Sequence, residues 1–323
     1  MTHVLVVAAR EDWPTDRVVK VLQERGVQVF RMDTAEFPQE LTLAGRIDAL
    51  RGWHGQLATS RRSVDLADIR ACYFRAPHPF NLPSGMSDAE RRFAAAQARS
   101  GLGGILSALD CRWVNHPAAM SRAEYKPHQL ATARQCGLTI PRTLITNNPA
   151  AVREFVDGIA GPVIVKPVAS PVLIEDNELK AVYTRRLTDD DLADLRGIDT
   201  TAHMFQAWID KAYEVRLTVV GEAMFTAEVH AGSDAAHEDW RSDYRSLTYK
   251  ATEVPDLIRL GVRQLMRKLG LSFAALDFIV SPGGTWTFLE ANPCGQWDWI
   301  QGATGLPIAE AIADELQGVT PRA

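Results

Sequence analysis

The chain alternates short apolar runs with amphipathic stretches. Residues 3–9 (HVLVVAA) form a strand-type run. Residues 15–25 then repeat apolar positions at helical spacing, through Val18, Val19, Val21 and Leu22, and stop at Gly26. Residues 27–32 make a second strand. This β-α-β opening predicts a doubly wound α/β sheet. No G-x-G-x-x-G follows the first strand, so the dinucleotide fingerprint is missing. Short strands with turns are expected over 41–69, and 71–80 (ACYFRAPHPF) reads as a strand ending in prolines. A long helix is predicted over 87–109, with Ser87 as N-cap and Glu90 completing a capping box. A short strand over 111–117 closes this lobe.

Downstream, the pattern predicts a helix over 121–136, an extended segment over 138–146, and a helix over 149–158. The run G-P-V-I-V-K-P is a short β-branched strand ending in Lys166. Further expectations are a helix over 187–196 with an acidic first turn, a strand over 203–209, and a hairpin of 214–220 with 223–230 around Gly221-Glu222. Residues 231–247 are polar and irregular. A helix over 255–269, a second hairpin and a last helix over 307–316 complete the chain. There is no internal repeat.

The second hairpin carries chemistry. Its strands read F-A-A-L-D-F-I-V and T-W-T-F-L-E-A-N around S-P-G-G. A four-residue loop over 281–284 pairs Val280 with Thr285 and Asp277 with Phe288. Phe288, Glu290 and Asn292 then share Asp277's face, with Asp277 diagonal to Glu290. An odd loop length would put Asp277 on the other side. Two carboxylates and an amide, with no His or Cys, suit a hard cation such as Mg²⁺. The alternative is that Asp277, a costly buried charge if alone, caps a backbone or pairs with an arginine.

Composition narrows the function classes. The 323 residues are 46% apolar and 23% charged, with a net charge of −5. That balance gives no nucleic-acid footprint. No uncharged apolar run reaches membrane-spanning length, and the N-terminal run is too short for a signal peptide. Four cysteines without C-x-x-C spacing fit a reducing, cytoplasmic setting. Seven lysines stand against 28 arginines, so each lysine beside a motif is informative. Lys166 at its strand end and Lys126 in S-R-A-E-Y-K-P-H could each hold phosphate or simply face solvent. F-Q-A-W-I-D-K (205–211) could present backbone groups to an adenine edge or serve as an ordinary core strand. Arg216, mid-strand in E-V-R-L-T-V-V, signals a buried salt bridge or an anion to be bound.

The ordered set Lys126, V-I-V-K-P, F-Q-A-W-I-D-K, E-V-R-L-T-V-V-G, L-D-F and F-L-E-A-N-P resembles the ATP-grasp superfamily over residues 115–323. G-Q-W after E-A-N-P-C, D-W-R at 239–241 and Y-F-R-A-P at 73–77 narrow the resemblance to the ATP-grasp peptide maturases that make graspetides, closest to the actinobacterial branch. The resemblance implies an ATP-grasp fold behind an N-terminal, Rossmann-like pre-ATP-grasp domain. The implied domains are 1–117, a central lobe over 118–205, and a C-terminal lobe over 206–323. It also implies ATP and two Mg²⁺ as cofactors. Lys126 and Lys166 would hold the α- and β-phosphates. Gln206, Trp208 and Ile209 would frame adenine, with Lys211 reaching the nucleotide. Asp277, Glu290 and Asn292 would bind metal, Arg216 would grip the γ-phosphate and then an acyl-phosphate, and Arg241 would bind the substrate carboxylate. The implied partner is a ribosomal precursor peptide, with a homodimer as the expected assembly. Residues 168–186 and 231–247 are the expected lids. Two rivals are an intermolecular ATP-grasp ligase that adds an amino acid to a protein or small molecule, and a non-catalytic sensor of ATP and peptide.

Overall fold

The computed structural model describes residues 2–169, 172–175 and 178–319. The first lobe opens as the pattern predicts, with β1 (His3–Ala8), α1 (Trp13–Glu24) and β2 (Gln28–Met32). A meander of β3 (Thr42–Arg46), β4 (His54–Ala58) and β5 (Ser63–Asp65) leads to β6 (Ile69–Arg75). Ser87 and Glu90 form the expected capping box, which starts α2 (Asp88–Ala98). A π-helical turn joins α2 to α3 (Gly104–Ser107), and β7 (Arg112–Val114) closes a parallel sheet of order β2-β1-β6-β7.

The helix expected over 121–136 is two helices, α4 (Pro117–Ala123) and α5 (Lys126–Gln135). Pro127 has no N–H to give the Ala123 carbonyl, so one helix cannot run through. That carbonyl instead accepts from the Gln129 side chain. The central sheet has the order β12-β9-β13-β8. It comprises β8 (Thr143–Thr146), β9 (Val163–Lys166), β12 (Arg185–Arg186) and β13 (His203–Ala207), with α6 (Pro149–Asp157) packed beside it. A separate hairpin pairs β10 (Val172–Glu175) with β11 (Glu178–Ala181). Within the expected lid 168–186, residues 170–171 and 176–177 lie outside the described residues. The helix expected over 187–196 shrinks to α7 (Asp189–Ala193). Asp194 there bonds the Arg196 backbone N–H at 3.1 Å, a local contact that competes with helix.

The C-terminal sheet is antiparallel, in the order β16-β15-β14-β17-β18. Its strands are β14 (Tyr213–Val220), β15 (Ala223–His230), β16 (Thr248–Thr252), β17 (Phe273–Val280) and β18 (Trp286–Asn292). Between β15 and β16 the irregular stretch folds into α8 (Asp234–Glu238) and two single 3₁₀ turns. The amphipathic α9 (Asp256–Leu269) covers one face. The chain ends through α10 (Asp298–Thr304), which the pattern did not predict, and α11 (Ile308–Gln317).

Sheet membership moves the expected domain limits. Strand β13 pairs with β8 and β9, so the central sheet runs through Ala207 rather than stopping at 205. Helix α5 sends Leu130 and Ala133 into the C-terminal core, beside Leu265 and Phe288. The first lobe is fused to the last one. Val18 and Leu22 of α1 share a core with Ile308, Ile312 and Leu316 of α11. Asn115 pins the same junction. Its Nδ2 donates to Phe273 O at 2.8 Å and Pro293 O at 2.9 Å, while its Oδ1 accepts from Ser272 N and Phe273 N at 2.8 and 2.9 Å. All four hydrogen-bond positions of the amide are filled.

Replacing Asn115 by Ala strands these buried backbone groups at once. The expected loss is roughly 3 kcal/mol of unfolding free energy, read as a lower denaturant midpoint. A change below about 0.5 kcal/mol, the level of an ordinary surface substitution, would show that the junction does not depend on this side chain.

Candidate active site

A cleft of about 660 Å³ opens between the central and C-terminal sheets. Its acid end is built by the β17–β18 hairpin, in a register that differs from the expected one. The loop is five residues long, 281–285, closed by Ser281 N to Thr285 O at 3.0 Å, so Val280 pairs with Trp286 and Phe278 with Phe288. That odd length would have turned Asp277 away from Glu290. A bulge at Leu289 corrects it, and Asp277 pairs directly with Glu290. Phe288 therefore faces the core while Glu290 faces the cleft, so the shared face expected for Phe288, Glu290 and Asn292 holds only for the last two. Asn292 lines the cleft, and its Oδ1 accepts from Cys294 N at 2.9 Å.

Helix α5 fixes this edge. Gln129 bonds both backbone groups of Ala291, donating to its carbonyl at 2.7 Å and accepting from its N–H at 2.8 Å. A side-chain amide thus extends the ladder between Glu290 and Asn292. The loop beyond is held by the first lobe. Arg75, 2% exposed, donates to Asp12 Oδ2 (2.9 Å), Gly295 O (3.2 Å) and Gln296 Oε1 (2.8 Å). The Y-F-R-A-P and G-Q-W motifs therefore meet. A Cβ at Gly295 would lie 2.4 Å from the Ala275 Cβ, so only glycine fits there.

Four cations surround the acids. Arg216 Nη1 lies 2.7 Å from Asp277 Oδ1. Arg241 Nη2 bridges Asp277 Oδ2 at 2.9 Å and Glu290 Oε1 at 3.0 Å. Lys126 Nζ, at the first position of α5, reaches Glu290 Oε2 at 3.1 Å. Lys166 ends β9 and lines the cleft. Burial pushes the Glu290 carboxyl up, but Lys126, Arg241 and Lys166 outweigh it and hold the group well below the usual carboxylate range. Burial lowers Lys166 to about 8, against the pull of Glu290. Arg216 does not line the cleft. It is buried behind Asp277 beside Trp240 and Trp299, at 5.4 and 5.7 Å from their ring centroids. Of its two sequence readings, the buried salt bridge is the one observed.

The opposite end holds Gln206, Trp208, Ile209 and Lys211. Gln206 Nε2 donates to Thr143 Oγ1 at 2.8 Å, while its buried Oε1 has no partner among the described residues. The strand stops at Ala207, and Trp208 N–H is taken by Pro162 O at 2.8 Å, so that backbone donor is not free for an adenine edge. The Trp208 ring stacks under Arg186, 4.1 Å from its centroid. Lys211 is paired with the buried Glu214, whose carboxyl burial pushes up against the pull of that lysine.

The residues fit the implied groups. Asp277, Glu290 and Asn292 converge as oxygen donors, and protein cations already balance the two acids where metal ions would. No cluster of three His, Cys, Asp or Glu side chains competes as a metal site among the described residues. The orphaned Gln206 Oε1 offers an acceptor at the end of the cleft where the resemblance would put adenine. All the expected residues but Arg216 line one cleft. Gln129, Glu214, Asp239, Trp240, Arg75 and Asn115 went unnoticed in the sequence. Four of these lay within motifs already singled out, Asp239 and Trp240 in D-W-R, Arg75 in Y-F-R-A-P and Glu214 in E-V-R-L-T-V-V, but no role was read for them.

Comparison with known proteins agrees. Residues 3–121 match the model of the MvdD pre-ATP grasp domain. A probable alpha-L-glutamate ligase of Shewanella halifaxensis is 25% identical over 223 residues, covering 65% of this chain and 45% of the relative. One from Saccharophagus degradans is 22% identical, covering 63% and 66%. The chain thus spans about half to two thirds of these curated relatives. Among solved structures, the macrocyclase MdnC of Microcystis aeruginosa, bound with precursor peptide MdnA, is 29% identical with a TM-score of 0.87, covering 98% of this chain and 100% of that one. The Chryseobacterium gregarium RiPP-associated ATP-grasp ligase, in complex with ADP and a leader and core peptide, is 27% identical with a TM-score of 0.90, covering 100% and 98%. Residues 3–121 thus carry an MvdD-type pre-ATP-grasp domain, and the chain as a whole shares the ATP-grasp fold end to end with a macrocyclase and a RiPP-associated ligase.

Proposed function

We propose that this protein is an ATP-dependent, ADP-forming ligase that activates Asp or Glu side chains of a ribosomal precursor peptide as acyl-phosphates. Thr or Ser hydroxyls, or Lys amines, of the same peptide then close ω-ester or ω-amide rings. The observation that carries this reading is the buried Asp277–Glu290 pair facing Lys126, Lys166 and Arg241 across one cleft. A carboxylate is a poor electrophile, and a phosphate supplies it with a leaving group. Asp277, Glu290 and Asn292 would hold two Mg²⁺ ions, which would offset charge on the phosphoryl group that ATP would supply. Lys126 and Lys166 hold the α- and β-phosphates, and Arg241 orients the acid of the peptide. Gln206, Trp208 and Ile209 frame the adenine, and Lys211 reaches the nucleotide. Burial pushes the Asp277 carboxyl up, Arg216 opposes that shift from behind, and through Asp277 it would steady the γ-phosphate and acyl-phosphate.

Thr184 and Arg186 of the first expected lid meet Asp239 and Glu238 of the second beside the cleft: Asp239 Oδ2 accepts from Thr184 N at 3.1 Å and Glu238 Oε1 from Arg186 N at 2.8 Å. We assign them to excluding water from the acyl-phosphate. No described helix is long and apolar enough to cross a membrane. With four free cysteines, we place the protein in the cytoplasm and expect a homodimer.

The names of the curated relatives favour a second reading, an intermolecular ligase that adds an amino acid to a target. One experiment separates the two. Small peptides encoded beside the gene are co-expressed with this protein and weighed. Loss of one water per ring, abolished by Glu290→Gln or Asp277→Asn in a folded protein, is the expected result. Gain of an amino-acid residue mass would favour the second reading, and binding of nucleotide without any turnover would favour a sensor. Retention of near-normal rates in either variant would refute the metal assignment, since losing charge stabilisation in such a site should cost at least about a hundredfold.

Lys166 sets a pH dependence. Its folded value of about 8 lies below the ordinary 10.5, so its charge opposes folding below pH 8. That cost is relieved as pH rises from 8 towards 10.5. Nucleotide needs the charged form, so ADP affinity should fall as pH passes 8 while the ligand-free protein gains stability. Calorimetric titration of ADP between pH 7 and 9 checks this. Lys166→Arg should flatten the profile, and an unchanged slope in that variant would remove Lys166 as the cause.

A further inference from the structure

The two guanidinium groups on Asp277 differ in kind. Arg216 belongs to β14, is buried, and lies beside two tryptophan rings, so it cannot leave. Arg241 belongs to the irregular segment between β15 and β16, and its side chain is 33% exposed. That segment is anchored without it. Trp240 is buried against Trp299, with ring centroids 5.4 Å apart, and the Arg241 guanidinium lies 4.6 Å from the Trp240 ring centroid. Asp239 and Glu238 hold the central lobe through Thr184 and Arg186. The Arg241 side chain can therefore move while its backbone stays.

Arg241 also occupies the oxygens that an ion would need. Its Nη2 bridges Asp277 Oδ2 and Glu290 Oε1. A magnesium ion binds carboxylate oxygen at roughly 2.1 Å, inside the space this bridge fills, and like charges so close repel strongly. The bridge and the ion are alternatives. We propose that Arg241 is the resident counter-cation of the acid pair, expelled from Asp277 and Glu290 when divalent ions bind and so freed for the acidic side chain of the incoming peptide. The inference rests on the metal reading above and adds an order to it: ions first, acid second. By reciprocity, each of the two binding events strengthens the other.

The test reads ion binding rather than turnover. Mn²⁺ is titrated by electron paramagnetic resonance into the full-length protein, without nucleotide and again with one equivalent of ADP. Arg241→Gln removes the competing charge and should tighten Mn²⁺ binding about tenfold, within the usual range of coupling between sites. Arg241→Lys keeps the charge and should stay near the unmodified protein. Thermal melts establish that both variants fold. Equal affinities in all three proteins, with binding abolished by Asp277→Asn, would overturn the counter-cation role and leave the metal site standing. Failure of every protein to bind Mn²⁺ under both conditions would overturn the metal reading and this inference together.

Discussion

Two carboxylates, Asp277 and Glu290, face each other across a strand pair in the cleft between the central and C-terminal sheets. Neighbouring like charges with little water between them are costly, and the surrounding structure answers that cost with cations from different parts of the chain. Arg216 comes from the neighbouring strand, Lys126 from a helix start, and Arg241 from a loop. The pairing depends on one bulged residue, Leu289, without which Glu290 would turn into the core. The edge strand is further held by Gln129, which bonds the backbone of Ala291, between Glu290 and Asn292.

The first lobe takes part in this construction. Its sheet ends in Arg75, which holds the backbone just beyond Asn292, and in Asn115, which bonds Pro293 and the start of β17. Strands on both sides of the acid site are thus tied to a lobe that contributes no residue to the acid pair. The attachment is through an apolar core shared by α1 and α11, while across the cleft Thr184 and Arg186 meet Asp239 and Glu238 through polar contacts. This division suits an enzyme that opens for substrates and closes around a reactive intermediate.

Much of this was legible in the chain. Alternation and helical spacing marked most strands and long helices, and the ordered motifs marked the cleft residues. Other features were hidden for physical reasons. The loop length of the second hairpin and its bulge depend on tertiary contacts, so the expected register failed although Asp277 and Glu290 still share a face. Pro127 was visible and its missing N–H breaks the helix, but that Gln129 takes up the freed Ala123 carbonyl was not. Gln129, Arg75 and Asn115 act on backbone groups more than 150 residues away in sequence, and a single sequence carries no sign of such pairings. Arg241 lay in a polar loop, where nothing local distinguishes a solvated arginine from one bridging two buried acids.

The central claim is that the acid pair is a divalent-ion site. Crystals grown with ADP and Mn²⁺, measured at the manganese edge, test it most directly. The account predicts anomalous density between Asp277 and Glu290, beside Asn292, with the Arg241 guanidinium withdrawn from both carboxylates. Ordered ADP with no anomalous density there, and Arg241 still bridging the acids, would contradict it.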